Sequence, residues 1–284
     1  MLDLKDKICI VTGSNSGIGK VTALEIAKMG ATVIMVARSK EKGEKALEEV
    51  KSLSGNKNVE LMLCDSASQQ SIRDFVEQFK AKYKNLHILV NNAGAAIPEK
   101  HLTKEGLEST FASNHLGYFL LTNLLLDLLK ASAPARIVNV ASDGHKMGHI
   151  DFDDLNYEHK KYNSTQAYCN SKLANVIFNK ELAKKLKGTN VTANSLHPGV
   201  INSNFSAGAN GIMKAFLKIF KPFLMTVEKG AETQIYLATS PDVEGVTGEY
   251  FTKKRIASTT REAKDENIAK RLWEVSEKMV SIKL

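Results

Sequence analysis

Repeats, low-complexity stretches, blocks of like charge and apolar runs long enough to cross a bilayer are all missing from these 284 residues. No Pro/Gly/Ser-rich linker divides the chain, so one continuous unit over 1–284 is the simpler reading, and 43% hydrophobic content suffices for a large core. Cysteine is scarce. Cys9, Cys64 and Cys169 make an odd number without metal-ligand spacing, and two of them sit in apolar runs, which points away from a disulfide scaffold and from zinc. The start, MLDLKDKICIVTG, enters a strand almost at once, with no signal-peptide region before it. The expectation is a protein that is not secreted, either cytoplasmic or peripheral to an intracellular membrane.

The formal charge of +8 would suit a polyanion if its lysines were clustered. They are not. Lys40, Lys42 and Lys45 alternate with Glu41, Glu44, Glu48 and Glu49, the pattern of a solvated helix face, so no nucleic-acid partner is expected.

What the chain does have is a series of short apolar runs rich in β-branched residues: Ile8–Val11, Thr32–Val36, Val59–Leu63, Ile88–Val90, Ile137–Val140 and Val191–Leu196. Segments of helical period separate most of them. Near-continuous apolar strands alternating with helices predict an α/β fold, a doubly wound, Rossmann-type parallel sheet with helices on both faces and ligands at the carboxyl ends of its strands.

The first strand runs into Gly13, Ser14, Asn15, Ser16, Gly17, Ile18 and Gly19, a glycine turn opening a helix, where backbone can approach a diphosphate at the helix N-terminus. An ordinary strand-to-helix turn would look similar, but the second strand supplies context. It ends at Arg38 and Ser39, where a dinucleotide fold meets the adenosine ribose. A guanidinium there can pair with the 2′-phosphate of NADP, whereas NAD calls for an acid, so NADP(H) is expected over NAD(H). Asp65 closes the third strand and is placed to accept from an adenine amino group. Asn92, Ala93 and Gly94 close the fourth and can line the nucleoside side, although Asp and Asn are also favoured as caps and turns.

With Thr12–Gly19, Asn91–Gly94, Ser142, Tyr168-Cys-Asn-Ser-Lys172 and Pro198-Gly199 in this order, the chain resembles the short-chain dehydrogenase/reductase family from near its start to about residue 252. The stretches 114–123, 148–156 and 196–200 look more narrowly like its retinol dehydrogenase branch. The resemblance implies a catalytic tetrad of Asn114, Ser142, Tyr168 and Lys172, with Pro198 and Gly199 beside the cofactor. Tyr168 and Lys172, four apart, project from one helix face, so the ammonium can lower the phenol pKa and make Tyr168 a general acid in reduction and a base in oxidation. Lys172 would also hold the nicotinamide ribose hydroxyls, and Ser142 would orient the substrate oxygen. Asn114, by side chain or freed backbone carbonyl, would hold a water next to Lys172. No metal is needed, and His145, His149 and His159 read as surface or substrate-loop residues.

The resemblance further implies a substrate lid at about 200–228, where Ile212, Phe216, Ile219 and Phe223 gather on one side and Lys214, Lys218 and Lys221 on another. Core packing is the second reading of this stripe, and peripheral membrane contact through about 211–225 the third. A helical segment closes the chain at about 261–281, and the helix about Val176–Leu186 is a candidate homodimer surface. The expected activity is interconversion of a small apolar carbonyl, retinal-like, and its alcohol. A broad carbonyl or steroid reductase is the alternative within the class, and a non-catalytic NADP(H)-sensing or scaffold protein the alternative outside it.

Overall fold

The computed structural model describes residues 3–200 and 225–283. Eight strands, β1 (Ile8–Thr12), β2 (Thr32–Ala37), β3 (Val59–Leu63), β4 (Ile88–Asn91), β5 (Ala135–Val140), β6 (Val191–His197), β7 (Tyr250–Thr252) and β8 (Arg255–Ile256), form one sheet in the order β3-β2-β1-β4-β5-β6-β7-β8. All neighbours pair in parallel except β7 and β8. The expected doubly wound sheet is what the chain forms, and its order reverses beside β1, where such sheets open a crevice.

Alternation along the strands feeds two separate cores. Ile10, Ile34, Val36, Leu89 and Ile137 point to one face, and Cys9, Val11, Val33, Met35, Val90 and Val138 to the other. The second face is covered by α1 (Gly17–Lys28), α2 (Lys40–Ser54) and, near the end of the chain, the helix Val227–Thr239. On the first lies α3 (Gln69–Lys82), whose Ile72, Phe75, Val76 and Phe79 recur at helical spacing. It is joined there by a segmented helix. This begins as α4 (Ser109–Phe111), loosens into a π turn at Ala112–Leu116 and continues as α5 (Gly117–Ala131). The long α6 (Ser164–Lys185) completes the layer.

Numbering Val227–Thr239 as α7, the last helix is α8 (Glu266–Met279), within the segment read as helical. It buries Ala269, Leu272, Trp273 and Ser276, and Trp273 packs on Phe119 of α5 and Phe178 of α6 with ring centroids 4.8 and 5.8 Å away. Its final carbonyls accept from Gln69 and Arg73 of α3. In the helix read as a candidate homodimer surface, Val176, Ile177, Phe178, Leu182 and Leu186 are buried within the chain, and Lys184 and Lys185 face outward. The short β7 and β8 were not foreseen, because runs of three and two residues carry no readable period. The expected lid lies for the most part outside the described residues, as does the amphipathic stripe.

Candidate active site

The glycine turn and the Asn-Asn-Ala-Gly turn are bound to one another at the ends of β1 and β4. Thr12 Oγ accepts the N–H groups of Asn92 and Ala93 at 2.9 and 3.0 Å, and Asn92 Nδ2 donates to the Thr12 carbonyl at 2.7 Å. Gly13 has φ +64°, and a Cβ there would lie 2.8 Å from Ala93 Cα. A Cβ on Gly19 would run into Asn92 Nδ2 and the Gly13 carbonyl. At Gly17, φ +56°, a Cβ would meet nothing within 4 Å, so this glycine faces open space. Ser16 precedes α1 without a side-chain cap, and the first turn holds no acid. The helix therefore presents N–H donors and positive potential to an anion at an open glycine surface, which fits a dinucleotide diphosphate.

Two nearby hydroxyls are already engaged. Ser14 is fully buried and donates to the Val36 carbonyl at 3.4 Å, so its side chain builds the turn instead of facing the crevice. Ser39 caps α2, accepting from Lys42 N–H at 3.4 Å. Arg38 is exposed, and no carboxylate among the described residues pairs with it. Asp65 keeps partial access, but one of its oxygens accepts the Ala67 N–H at 3.0 Å, so the local turn role is present. Asn15 and Ile18 are partly accessible within the turn.

Across the crevice, Ser142 follows β5 and its Oγ accepts the Gly144 N–H at 3.0 Å, starting a 3-10 turn at Asp143–Met147. Its side chain also hydrogen-bonds the Tyr168 phenol. Tyr168 and Lys172 stand one turn apart on α6, with Lys172 Nζ 5.6 Å from the Tyr168 ring centroid and 5.7 Å from that of Tyr118. Lys172 is only 3% exposed and donates to the Val140 carbonyl at 2.9 Å. A Cβ on Gly94 would lie 3.2 Å from Asn114 Oδ1 and 3.5 Å from Lys172 Nζ. Asn114, Ser142, Tyr168, Lys172 and the turn after β4 are thus gathered in one place.

The electrostatics correct one expectation. Desolvation dominates both partners, pushing the phenol of Tyr168 up to about 12, against the opposing Ser142 hydrogen bond, and Lys172 down to about 7. In the protein by itself the lysine does not bring the phenol towards neutral pH. Asn114 also differs from expectation. Its Oδ1 accepts the Ala95 N–H at 2.8 Å, and its Nδ2 donates to the Ala95 carbonyl and to Ser171 Oγ at 2.9 and 3.0 Å. The side chain is a strut between the loop after β4 and α6. The π turn loosens the backbone around its carbonyl, which accepts from Asn175 Nδ2 at 2.9 Å.

Several residues here escaped sequence reasoning: Tyr118, Ser171, Asn175 and a cluster behind Ser142. There His145 is fully buried, not a surface residue, because its Nδ1 pairs with the Ser142 carbonyl at 2.7 Å and its ring packs edge-on against Tyr250. Tyr250 donates to Asp143 at 3.0 Å. His149 and His159 are exposed as expected. Helical spacing from Lys172 could have flagged Asn175; nothing local marks the others. Gly199, φ +94°, sits after β6 beside Pro198 at the same end of the sheet, and a Cβ on it would lie 2.5 Å from Met225 Sδ. Among the described residues no group of three or more His, Cys, Asp or Glu could hold a metal, and no helix is long and apolar enough to cross a membrane.

Comparison with known proteins agrees with this geometry. The family model described as short chain dehydrogenase matches residues 7–211. Retinol dehydrogenase 11 of Mus musculus is 44% identical over 275 residues, covering 97% of this chain and 86% of that protein. Retinol dehydrogenase 13 of Homo sapiens is 43% identical over 281 residues, covering 97% and 85%. Among solved structures, an uncharacterised protein from Mycobacterium paratuberculosis superposes with a TM-score of 0.82 at 32% identity, covering 100% of this chain and 96% of that one. A short chain dehydrogenase from Pseudomonas syringae gives 0.68 at 26% identity, covering 87% and 94%.

Proposed function

Given that the chain belongs to the short-chain dehydrogenase family and is an oxidoreductase using a nicotinamide dinucleotide, we propose that it interconverts an apolar, retinal-like aldehyde or ketone and its alcohol with NADP(H), Tyr168 exchanging the proton. The observation that carries this reading is the meeting of Ser142, Tyr168, Lys172 and Asn114 opposite an open glycine turn. Gly13, Gly17, Gly19 and the N-terminus of α1 would hold the diphosphate, with Asp65, Asn92, Ala93, Gly94, Pro198 and Gly199 along the nucleoside. The exposed guanidinium of Arg38 pairs with no carboxylate among the described residues and suits a 2′-phosphate. When bound, the nicotinamide supplies or takes up a hydride.

The residues of the chain handle the rest. Ser142 donates to the substrate oxygen and aims it at the phenol. Burial keeps Tyr168 protonated at neutral pH, the state required to give a proton to a developing alkoxide; in alcohol oxidation the phenol must first give up that proton. As the phenol loses its proton, negative charge appears beside Lys172, and the ammonium form of the lysine gains what desolvation had taken from it. Lys172 would also hold the ribose hydroxyls of the dinucleotide. Met147, at the end of the turn that Ser142 opens, and Val200, after Gly199, are 63% and 52% exposed and leave apolar surface in these two segments. Such surface, together with relatives named for retinol, supports a greasy substrate over a sugar or a hydroxy acid.

NADPH oxidation with retinal, medium-chain aldehydes, a steroid ketone and an aromatic diketone tests the proposal. Turnover of retinal with a lower KM for NADPH than for NADH is expected. Preference for the ketones would transfer the reading to a broad carbonyl reductase, and silence on every carbonyl would overturn it.

A further inference from the structure

Asn175 lies three residues beyond Lys172 on α6 and is completely buried. Its amide nitrogen donates to the Asn114 carbonyl inside the π turn, where the backbone closes a wider ring, Gly117 N–H to the Ala112 carbonyl. Its oxygen and His115 Nδ1 are both buried without a hydrogen-bond partner among the described residues. The two groups adjoin: burial drives the imidazole down to about 3, and the Asn175 amide opposes that push. On the far side, His115 Nε2 meets Ser276 Oγ of α8 at 2.9 Å. A line of polar groups therefore runs from Ser276 of the C-terminal helix to His115 and, along the adjoining backbone of the π turn, to Asn114, which Asn175 holds from α6; the Asn114 side chain shares the space over Gly94 with Lys172. Core packing alone does not call for this line, since buried polar groups cost stability that apolar side chains of the same volume would not.

We propose that Asn175 is a positioning residue for the reaction, holding the Asn114 carbonyl and, through His115 and Ser276, fixing the C-terminal helix and the surroundings of Lys172 relative to one another. The inference rests on the catalytic reading of Tyr168 and Lys172 given above. The titratable neighbours of Asn175 are His115 in the π turn and Lys172 on its own helix; α8 presents the uncharged Ser276.

The test compares Asn175→Leu, Asn175→Asp and Ser276→Ala with the parent, using NADPH and the fastest carbonyl of the panel. Asn175→Leu is expected to lower kcat about tenfold while both KM values stay within about twofold. Asn175→Asp should lose as much near pH 8 and recover towards about pH 5.5, because a protonated carboxyl regains a donor for the Asn114 carbonyl. In the parent His115 titrates below that range. A carboxylate at 175 would raise the pKa of His115 and of Lys172, so the rate ratio reads the new carboxyl together with its effect on these two neighbours, and Asn175→Leu, which adds no charge, supplies the pH profile without that effect. Ser276→Ala, at the end of the line, should cost about threefold in kcat. Should Asn175→Leu fail to fold, the Asp and Ala variants still decide. Variants that melt earlier yet keep the parent kcat, or an Asp-to-parent ratio flat with pH, would overturn the proposal. Full activity in Tyr168→Phe would instead sink the catalytic reading, a separate outcome of the same assay.

Discussion

The two banks of the crevice are built on different principles. On the dinucleotide side, the parts aimed at a ligand are backbone: a helix end without a side-chain cap and a glycine facing open space, held by short-range bonds to Thr12 and Asn92. On the catalytic side they are side chains, set by a buried amide lattice. Asn91 donates to Thr122 and Asn139, Asn139 to Asn179, Asn114 to Ser171 and Asn175 to the Asn114 carbonyl, all between 2.8 and 3.0 Å. A backbone site tolerates change in surrounding side chains but no added Cβ. In a lattice of buried amides the loss of a partner is costly, about 1–3 kcal/mol for each newly orphaned group.

The largest effects should fall on the catalytic bank. Tyr168→Phe removes the exchangeable proton and should lower kcat about 10³-fold, with dinucleotide affinity measured by fluorescence titration nearly unchanged. Lys172→Met should lower kcat comparably yet raise the melting temperature, because it replaces a buried charge by an apolar chain of similar length. The sign with pH follows from the lysine's depressed pKa. Between its folded value of about 7 and the ordinary 10.5, the unfolded chain holds a proton that the folded one lacks, so parent stability rises with pH across that window and falls as pH drops through about 7. Urea unfolding at pH 6, 7.5 and 9 should show this slope in the parent and a flatter one in Lys172→Met. Equal slopes would mean that the lysine is solvated.

A smaller effect is expected where the backbone bank ends in one side chain. Arg38→Asp exchanges a phosphate partner for a ribose-hydroxyl acceptor, and the ratio of kcat/KM for NADPH over NADH should fall about 10²-fold. An unchanged ratio would detach Arg38 from cofactor choice. The contrast would then have to be redrawn, with nothing but backbone on that side.

The same contrast explains what could be read from the sequence. Strands β1 to β6 were legible within a residue or two because each is a short run rich in apolar and β-branched residues between helical segments, and the glycine turn because its spacing is local. Tyr168 and Lys172 were legible as a pair because four residues make one helical turn. Their protonation was not, since it depends on burial by Tyr118 and β5, residues remote in the chain. The π turn at Asn114 leaves no mark on hydrophobic period, so the asparagine could be placed in the tetrad by resemblance, with its side chain or its carbonyl holding a water, but not as the strut that its side chain forms. His145 looked like a loop residue among polar neighbours, and only the fold brings Tyr250 across to cover it.

The mildest test separates the glycines of the backbone bank from each other. Gly17→Ala places a methyl group in open space, so the protein itself meets no clash; the cost is the left-handed φ of +56°, about 1 kcal/mol for a residue with a Cβ. The parent fold should therefore survive with a slightly lower melting temperature. A methyl group at that position nevertheless stands where a diphosphate would approach, and NADPH binding should weaken about tenfold while kcat at saturation stays near the parent value. Gly19→Ala is the internal comparison, because its Cβ would strike Asn92 and the Gly13 carbonyl and should disrupt the turn itself. If Gly17→Ala bound NADPH as tightly as the parent, that open face would not be where the diphosphate rests.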